Sequence, residues 1–366
     1  MRVLHVEGGR NLYGGALQVL YLLRGLRERG VESVLVCRED SAIRRAAAPF
    51  AEVHPLPMGG DLDLLLIPRL VGTIRARRPD LVHLHSRIGA DVMGGIAARV
   101  ARVPVVHSRR QDNPERRWAV ALKYRLHDRV IAISEGIGAV LLDEGLPAGK
   151  LRVIRSAVDA APFLQSCDRD WLAREFGVPT GSKVIGVVAQ LIPRKGHRFL
   201  LQALPQLVIE HPALRVLLFG RGPLEEELRR QVADLDLEKV VTLAGFRDDL
   251  ARVLPCLDLV VHPAVREGLG VSLLQASSAA VPIVACNAGG MPEAVRDGVN
   301  GLLVPPADVS ALRAAVGRLL TDPELARRMG RAGRELVLRE FSLDAMVEGN
   351  LGVYRELLAE RSSSDG

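Results

Sequence analysis

The first residues, MRVLHVEGGRNLYGGALQVLYLLRGLRERGVESVLVC (1–37), contain the unit that predicts the fold. Two apolar runs, Val3–Val6 and Val34–Cys37, lack the alternation of a strand with one solvent-facing side, so they are typical of buried strands. Between them, Gly15–Arg29 has apolar residues at helical spacing, and Gly30 is a usual residue just after a helix. A strand–helix–strand unit of this kind predicts a parallel sheet that helices cover on both faces.

The same alternation continues in two series of short apolar runs, with a pause around residues 160–170. The remaining runs are Leu81–Leu84, Val103–Val106 and Val130–Ile133, then Val184–Val188, Val216–Phe219, Val240–Leu243, Leu257–Val261, Ile283–Cys286 and Leu302–Val304. We therefore expect an α/β fold with two doubly wound Rossmann-like domains that face each other across a ligand-binding cleft. The predicted domains are residues 1–163 and 164–341, and a helical segment, 342–366, packs back towards the first domain and ends in a polar tail.

The composition excludes several classes of protein. Of the 366 residues, 48% are hydrophobic and 25% are charged, which is ordinary for a globular protein and excludes disordered and collagen-like chains. Aromatic residues make up only 4%, which argues against a nucleic-acid-binding module that stacks bases. The 49 basic and 43 acidic residues leave a net charge of +6, which is compatible with an anionic ligand or an anionic membrane surface.

The cysteines and histidines form no recognisable disulfide or metal motif. The four cysteines include no CxxC pair, so we expect neither a zinc site nor a disulfide framework, and we expect a reducing compartment. His83 and His85 alternate on one predicted strand without further ligands nearby in sequence, so we expect no metal site. The amino terminus lacks a secretion signal and no run of about 18 apolar residues occurs, so we predict a cytoplasmic protein.

A glycine-rich loop, Gly8–Gly15, follows the first predicted strand. Gly14 and Gly15 stand at the start of a helix, where exposed amides and the helix dipole favour an anion, and where glycine lets a phosphate approach the backbone. The loop lacks the GxGxxG pattern, which disfavours binding of a nicotinamide cofactor. The alternative is that these glycines only satisfy the geometry of a turn.

A basic pair, Arg194-Lys195, follows the strand that opens the second series and precedes a helix. Two positive charges at the carboxyl end of a strand can stabilise a bound diphosphate and the charge that develops on a leaving phosphate. The alternative is a solvated basic turn, but the position of the pair in the predicted fold favours a functional role.

The segment Arg266–Ala276 follows the predicted strand Leu257–Val261. Glu267 lies in the loop and can accept hydrogen bonds from hydroxyl groups, while Gln275 falls about one and a half turns into the following helix. The loop residues whose amides can hold a phosphate are Gly268, Leu269, Gly270 and Val271. The alternatives are that Glu267 only favours the helix dipole and that Gln275 is a surface residue.

At this segment the sequence resembles the family 4 glycosyltransferases, whose fold is GT-B. The resemblance covers nearly the whole chain as an ordered set of stretches: Gly14-Gly15, Asp80–Ser86, Ala132–Glu135, Arg194–Gly196, Gly220–Pro223, the Glu267 loop and Gly289–Glu293. It implies a retaining glycosyltransferase that takes a sugar from a nucleotide-diphosphate donor, UDP- or GDP-linked, and that uses no metal ion and no other cofactor.

The resemblance also implies roles for single residues. Arg194 and Lys195 match the pair that offsets the charge of the diphosphate, and Glu267 matches the first Glu of an E-x7-E motif that holds the hydroxyls of the donor sugar. The glycines that match donor-binding loops are Gly14, Gly15, Gly220 and Gly222. The donor's own phosphate is expected to receive the acceptor proton, so no dedicated protein base is implied.

Two positions depart from the family's pattern. Position 275 is Gln where the motif has its second Glu, which binds the ribose; an amide oxygen accepts a hydrogen bond less strongly than a carboxylate, so donor affinity or donor choice is affected. Relatives place an active-site His near the position of Arg110, and His107 lies slightly earlier. Either His107 or Arg110 is therefore a candidate to face the acceptor or the phosphate.

A basic segment that also contains Trp118 lies in the first half. Its cations are Arg109, Arg110, Arg116, Arg117, Lys123, Arg125 and Arg129. Such a segment can contact anionic lipid on the inner face of the cytoplasmic membrane or bind a phosphorylated acceptor. We favour the alternative of a solvated helix face, because Asp112, Glu115 and Asp128 dilute the positive charge.

The function that these residues favour is sugar transfer to a glycan or glycolipid acceptor of the cell envelope, as in lipopolysaccharide or exopolysaccharide biosynthesis. Two alternatives remain: a non-catalytic partner subunit that binds a nucleotide sugar or a glycan, and another GT-B enzyme such as a sugar-nucleotide epimerase. The set of Arg194, Lys195 and Glu267 argues against the epimerase.

Overall fold

The computed structural model describes residues 1–12, 14–60, 63–85, 89–110 and 115–364. Ser86, Asp112 and the last two residues of the predicted polar tail lie outside the described residues. The chain divides into two compact units: unit 1 is Met1–Ala157 with Leu343–Gly366, and unit 2 is Val158–Ser342. The boundary between the units therefore lies a few residues before the predicted one, which followed residue 163.

Within the described residues, unit 1 contains a seven-stranded parallel sheet in the order β3-β2-β1-β4-β5-β6-β7. Its strands are β1 (Arg2–Glu7), β2 (Glu32–Arg38), β3 (Glu52–Leu56), β4 (Leu81–Leu84), β5 (Val105–Arg109), β6 (Arg129–Ala132) and β7 (Leu151–Val153). Each apolar run predicted in the first half forms a strand. The two unpredicted strands lie at the sheet edges, where β3 contains Pro55 and is partly exposed and β7 is very short.

The helices of the first part of the chain are α1 (Gly14–Glu28), α2 (Ile43–Ala47), α3 (Leu66–Arg77), α4 (Ala90–Ala101), α5 (Arg117–Lys123) and α6 (Glu135–Asp143). Parallel strands need such crossover connections, because a tight hairpin cannot join them. Helix α1 illustrates the pattern, since it buries Val19, Leu22, Leu23 and Leu26 on one face.

Within the described residues, unit 2 contains a six-stranded parallel sheet in the order β10-β9-β8-β11-β12-β13. Its strands are β8 (Lys183–Val188), β9 (Leu214–Phe219), β10 (Val241–Gly245), β11 (Leu259–His262), β12 (Ile283–Cys286) and β13 (Gly301–Val304). Its helices are α7 (Arg169–Phe176), α8 (His197–Glu210), α9 (Glu225–Asp234), α10 (Leu250–Val253), α11 (Val271–Ser278), α12 (Met291–Ala294), α13 (Val309–Thr321) and α14 (Pro323–Glu340). The predicted α/β class with two doubly wound sheets is confirmed.

The final helix, α15 (Leu343–Ser364), packs in unit 1 against α1. Gly25 of α1 is required there, because a Cβ at this position would lie 2.5 Å from a methyl carbon of Val347. Arg29 also forms ion pairs with Asp344 and Glu348 at 2.7 and 2.6 Å. Among the described helices, none is both long enough and apolar enough to cross a bilayer.

Unit 2 contains a disulfide bond between Cys167 and Cys256, whose Cα atoms are 4.8 Å apart. The expectation that the cysteines form no disulfide is therefore wrong for this pair. The two residues are separated by 89 positions, so their spacing carries no signal; they meet only because the segment before α7 packs beside the turn after α10. Cys37 and Cys286 are free and buried.

Candidate functional site

The candidate site of unit 2 lies where the strand order of its sheet reverses. Strands β8 and β11 are neighbours there, with Ile185 opposite Leu259 and Gly186 opposite Val260. The carboxyl ends of parallel strands lie at one edge of the sheet, and ligands of doubly wound sheets bind at this reversal point. The loops after β8 and after β11, which carry the predicted Lys195 and Glu267, are therefore brought together.

Backbone contacts hold these two loops against each other. After β8, a single 3-10 turn, Pro193–Lys195, leads to Gly196 and then to α8. The Val265 amide donates a hydrogen bond to the Arg194 carbonyl oxygen at 2.9 Å. Gly196 has a φ of +68°, and a Cβ there would lie 2.0 Å from the carbonyl oxygen of Pro263, so only glycine fits.

A buried ion pair forms the centre of the site. Lys195 Nζ contacts Glu267 Oε2, and the two side chains are only 9% and 14% exposed. His262, the last residue of β11, places Nε2 3.0 Å from the same Glu267 oxygen. The structure therefore brings together the predicted Lys195 and Glu267, and it adds His262, which the sequence analysis missed. His262 directly follows a predicted strand, and this position at the ligand-binding edge of a parallel sheet is the feature of the sequence that indicates a site residue.

The surroundings set the charge states of these groups. Burial alone would raise the pKa of Glu267, but the His262 hydrogen bond and the positive charge of Lys195 lower the pKa well below its ordinary value. Burial lowers the pKa of His262, and the positive charge of Lys195 acts in the same direction. At neutral pH the site therefore contains an ionised carboxylate and a neutral imidazole.

The remaining predicted residues of unit 2 surround this pair. Arg194 is half-buried on the 3-10 turn, and its charge also disfavours protonation of His262, whose pKa burial already lowers. Gly220 has a φ of +143°, and a Cβ there would lie 1.9 Å from the Ala189 carbonyl oxygen. Gly222 likewise passes close to Leu191, so both glycines are needed where the loop after β9 crosses the loop after β8.

Helix α11 begins directly after the Glu267 loop. Gly268, Leu269 and Gly270 are buried, and Val271 is the first residue of the helix, whose first turn contains no acidic residue and no side-chain cap. The amides at this helix start are suited to an anion. Gln275 lies half-buried one turn further along α11.

In unit 1, the corresponding reversal point lies between β1 and β4. His85 follows β4 and places Nε2 2.9 Å from His5 Nδ1, while its own Nδ1 lies 3.4 Å from Arg110 Nη2. Arg110 also lies beside the glycine loop, because a Cβ added to Gly15 would be 3.6 Å from Arg110 Cδ. Glu7, at the end of β1, accepts a hydrogen bond from the Gly9 amide at 2.8 Å.

His107 lies on the other face of the same sheet. It is fully buried, its ring centroid is 5.1 Å from that of His127, and neither ring nitrogen has a hydrogen-bond partner within the described part of the chain. Of the two candidates from the sequence, Arg110 therefore joins the glycine loop and His107 does not. Alternation along β5 places His107 on the face opposite to Ser108, whose Oγ contacts His83, whereas Arg110 directly follows the strand.

Three histidines of unit 1 lie close enough together to be considered as metal ligands. One ring nitrogen from each of His5, His83 and His85 lies within 4.8 Å of the other two. Burial lowers the pKa of His5 to about 3, which leaves a neutral ring. However, His83 Nδ1 contacts Tyr354 Oη at 2.5 Å and its Nε2 contacts Ser108 Oγ at 2.8 Å. Since these bonds occupy both nitrogens of His83, the arrangement fits a hydrogen-bonded network better than a metal site.

The basic segment of unit 1 divides into paired and exposed parts. Arg109 is buried against Glu115, and Lys123 lies 2.7 Å from Glu115 and 3.5 Å from Asp91, so these cations are neutralised inside the unit. Trp118 and Leu122, by contrast, are 66% and 61% exposed on α5. The exposed cations around them are Arg116, Arg117 and Arg125.

Two family profiles match the chain. The profile described as "Glycosyltransferase Family 4" matches residues 13–161. The profile described as "Glycosyl transferases group 1" matches residues 168–336, which include Lys195, His262 and Glu267. Together the two matches extend over most of both units.

Individual proteins resemble the chain over nearly its whole length. The D-inositol 3-phosphate glycosyltransferase of Kineococcus radiotolerans is 30% identical and covers 98% of this chain and 93% of its own. The lipopolysaccharide core biosynthesis glycosyltransferase LpsE of Rhizobium meliloti is 27% identical, and the match covers 99% of this chain and 100% of LpsE. The crystal structure of Anabaena Alr3699/HepE in complex with UDP and glucose has a TM-score of 0.85 at 25% identity, and the match covers 96% of this chain and 99% of HepE. These matches and the two doubly wound parallel sheets show that this chain belongs to the family 4 glycosyltransferases and has the GT-B fold.

Proposed function

We propose that this glycosyltransferase moves a sugar from a nucleotide-diphosphate donor to a glycan or glycolipid acceptor, with retention at the sugar carbon and without a metal ion. The observation that carries the proposal is the buried Lys195–Glu267 pair beside the start of α11. The cation and the helix start are suited to the negatively charged diphosphate of a sugar nucleotide. The carboxylate beside them is suited to the hydroxyl groups of its sugar.

The chemistry follows from what each group can do. When a diphosphate enters, its negative charge competes with Glu267 for Lys195, and Arg194 adds a second cation that stabilises the charge on the leaving phosphate. Glu267 is then available to accept hydrogen bonds from the sugar hydroxyls. The bond between the sugar carbon and the phosphate oxygen breaks, and the acceptor oxygen bonds to that carbon on the same face. The acceptor proton passes to the departing phosphate oxygen, so no protein base is needed.

The nature of the donor and acceptor draws on the relatives. Anabaena HepE is described with UDP and glucose, which supports a UDP-linked donor here, with a GDP-linked donor as the alternative. The similarity to LpsE, a lipopolysaccharide core enzyme, supports an acceptor of the cell envelope. Trp118 and Leu122 are exposed, and the arginines near them in the sequence are exposed as well, so this segment is suited to peripheral contact with anionic lipid on the inner face of the cytoplasmic membrane.

The donor assignment is tested first by binding. UDP, GDP, ADP and CMP are added in a thermal-shift panel, because a nucleotide that binds the native state raises the Tm. We expect UDP or GDP to give the largest increase. Equal responses to all four nucleotides, or no response to any of them, would contradict a nucleotide-diphosphate donor.

The catalytic assignment is tested by substitution in unit 2. Lys195→Ala and Glu267→Ala should each abolish most sugar transfer and most slow donor hydrolysis in the absence of acceptor. The matched controls are Lys239→Ala and Glu238→Ala, which change exposed residues of the same unit and should keep wild-type rates. Wild-type rates in both site variants would show that the site is wrongly assigned. Nucleotide binding without turnover over a broad acceptor panel would instead favour a non-catalytic partner subunit, and a free sugar-nucleotide isomer as product would favour an epimerase.

A further inference from the structure

His262 is a buried imidazole that the proposed chemistry does not yet use. It ends β11, five residues before Glu267, and its ring lies against the central ion pair. The loop between them turns back because Val265 hydrogen-bonds to the Arg194 carbonyl and Gly290 donates to the Glu267 carbonyl at 3.1 Å. The backbone of the Glu267 loop is thus anchored on both sides, which leaves the orientation of the carboxylate to the groups that contact its two oxygens.

The contacts on the two carboxylate oxygens are unequal. Oε2 receives both Lys195 Nζ and His262 Nε2, whereas Oε1 is contacted at 3.1 Å by the amide of the adjacent Gly268. When Lys195 binds a diphosphate instead, Oε2 loses its contact with Lys195 and keeps its contact with His262. A neutral imidazole carries no charge that would draw it to the diphosphate, so we expect its hydrogen bond to Glu267 to persist after the exchange.

The ring nitrogens of His262 indicate which tautomer is present. Because burial lowers the pKa of His262, the ring carries one proton. Its Nδ1 is buried and has no hydrogen-bond partner among the described residues, whereas Nε2 faces a carboxylate oxygen that can only accept. The proton therefore lies on Nε2 and is donated to Glu267, which fixes both the tautomer and the direction of the bond.

We propose that His262 is a positioning residue that holds the Glu267 carboxylate in place for the donor sugar after Lys195 has moved to the diphosphate. This inference rests on the proposed function. It predicts that His262 acts on ligands that carry a sugar and not on the nucleotide alone, because Glu267 and not the phosphate site depends on it.

The test compares His262→Gln, whose amide can still donate from about the position of Nε2, with His262→Phe, which fills the space without a donor. UDP with UDP-glucose and GDP with GDP-mannose are titrated by calorimetry against each variant and the wild type. We expect His262→Phe to bind the nucleotide as the wild type does, to bind the sugar nucleotide roughly tenfold more weakly, and to lose about 10- to 100-fold in kcat. His262→Gln should retain most of both.

A double-mutant cycle with Glu267→Gln separates positioning from a general structural effect. If His262 acts through Glu267, His262→Phe adds little further loss of sugar-nucleotide affinity in the Glu267→Gln background. Should His262→Phe fail to fold, His262→Asn replaces it, because its shorter amide cannot reach Glu267. Equal weakening of nucleotide and sugar nucleotide, fully additive losses, or an unaffected His262→Phe would each overturn the inference alone. A wild-type protein that binds neither pair of ligands would overturn the proposed function, and this inference with it.

Discussion

Replacing Lys195 with Met removes the positive charge beside Glu267 and keeps a side chain of similar length. In the native protein, Lys195 and Glu267 form an ion pair and are only 9% and 14% exposed. A hydrogen bond to a charged group contributes about 1.5–3 kcal/mol, and breaking a fully buried pair costs about 3–5 kcal/mol. Because some water reaches this pair, we expect Lys195→Met to lower the free energy of unfolding by about 2–3 kcal/mol at pH 7.

The loss should depend on pH in a defined direction. Burial acts to raise the pKa of Glu267, but the His262 hydrogen bond and the Lys195 charge lower it below the ordinary value of 4.5. The wild-type carboxylate therefore stabilises the native state above about pH 4.5, and this stability is lost as the pH falls towards the lowered pKa. Without Lys195 the pKa of Glu267 rises, so the variant loses the contribution at higher pH. The difference between the two proteins should thus be largest near neutral pH and shrink in acid.

The assay is thermal unfolding followed by circular dichroism between pH 4 and pH 7. For a domain of this size, 1 kcal/mol changes the Tm by about 2–4 °C, so we expect the Tm to fall by roughly 4–12 °C at pH 7. Lys239→Met, which changes an exposed lysine of the same unit, is the control and should keep the wild-type Tm. A Lys195→Met protein as stable as the wild type at pH 7, or a deficit that grows as the pH is lowered, would refute the reasoning.

Three further outcomes follow from other parts of unit 2. Gly196→Ala places a Cβ 2.0 Å from the Pro263 carbonyl oxygen and should lower the free energy of unfolding by about 3 kcal/mol or more. Its control, Gly181→Ala, lies at a φ of +80° in open space and should lower it by only about 1–2 kcal/mol. Equal losses of Tm in the two variants would contradict the close contact at Gly196. Cys167→Ser should lower the free energy of unfolding by about 2–4 kcal/mol and make the Tm insensitive to reductant, and a variant as stable as the oxidised wild type would show that the disulfide does not form. Gln275→Glu should tighten nucleotide binding roughly fivefold by calorimetry, because a carboxylate accepts a hydrogen bond from a ribose hydroxyl more strongly than an amide does. The control is Gln202→Glu at an exposed position. Unchanged nucleotide affinity in Gln275→Glu would place Gln275 away from the ribose.

The strands were predictable to different degrees. Strands such as β1, β8 and β12 are buried on both faces, so their sequences are continuous apolar runs that can be recognised locally. Strand β3 lies at a sheet edge, is partly exposed and contains Pro55, so it lacks that pattern and was missed. The difference is physical, because an edge strand has fewer neighbours to bury it.

The candidate site was predictable in its parts but not in its connections. Lys195 and Glu267 each follow a recognisable strand, so their position near the ligand edge of a sheet could be inferred. Their contact with each other could not, because 72 residues separate Lys195 from Glu267 and only the pairing of β8 with β11 brings them together. In unit 1, side chains alternate along β5, so the position of His107 next to Ser108 already indicates that the two point to opposite faces of the sheet.

By itself, the sequence determined the α/β class, the presence of two doubly wound sheets and the segments that carry the basic pair and the carboxylate, because periodicity and turn residues act over a few positions of the chain. Only the tertiary structure decided which distant residues share a contact: Lys195 with Glu267, His5 with His85, and Cys167 with Cys256. These contacts depend on strand order and on the packing of helices over the sheets, which result from the burial of the whole core and leave no mark at any single stretch of sequence.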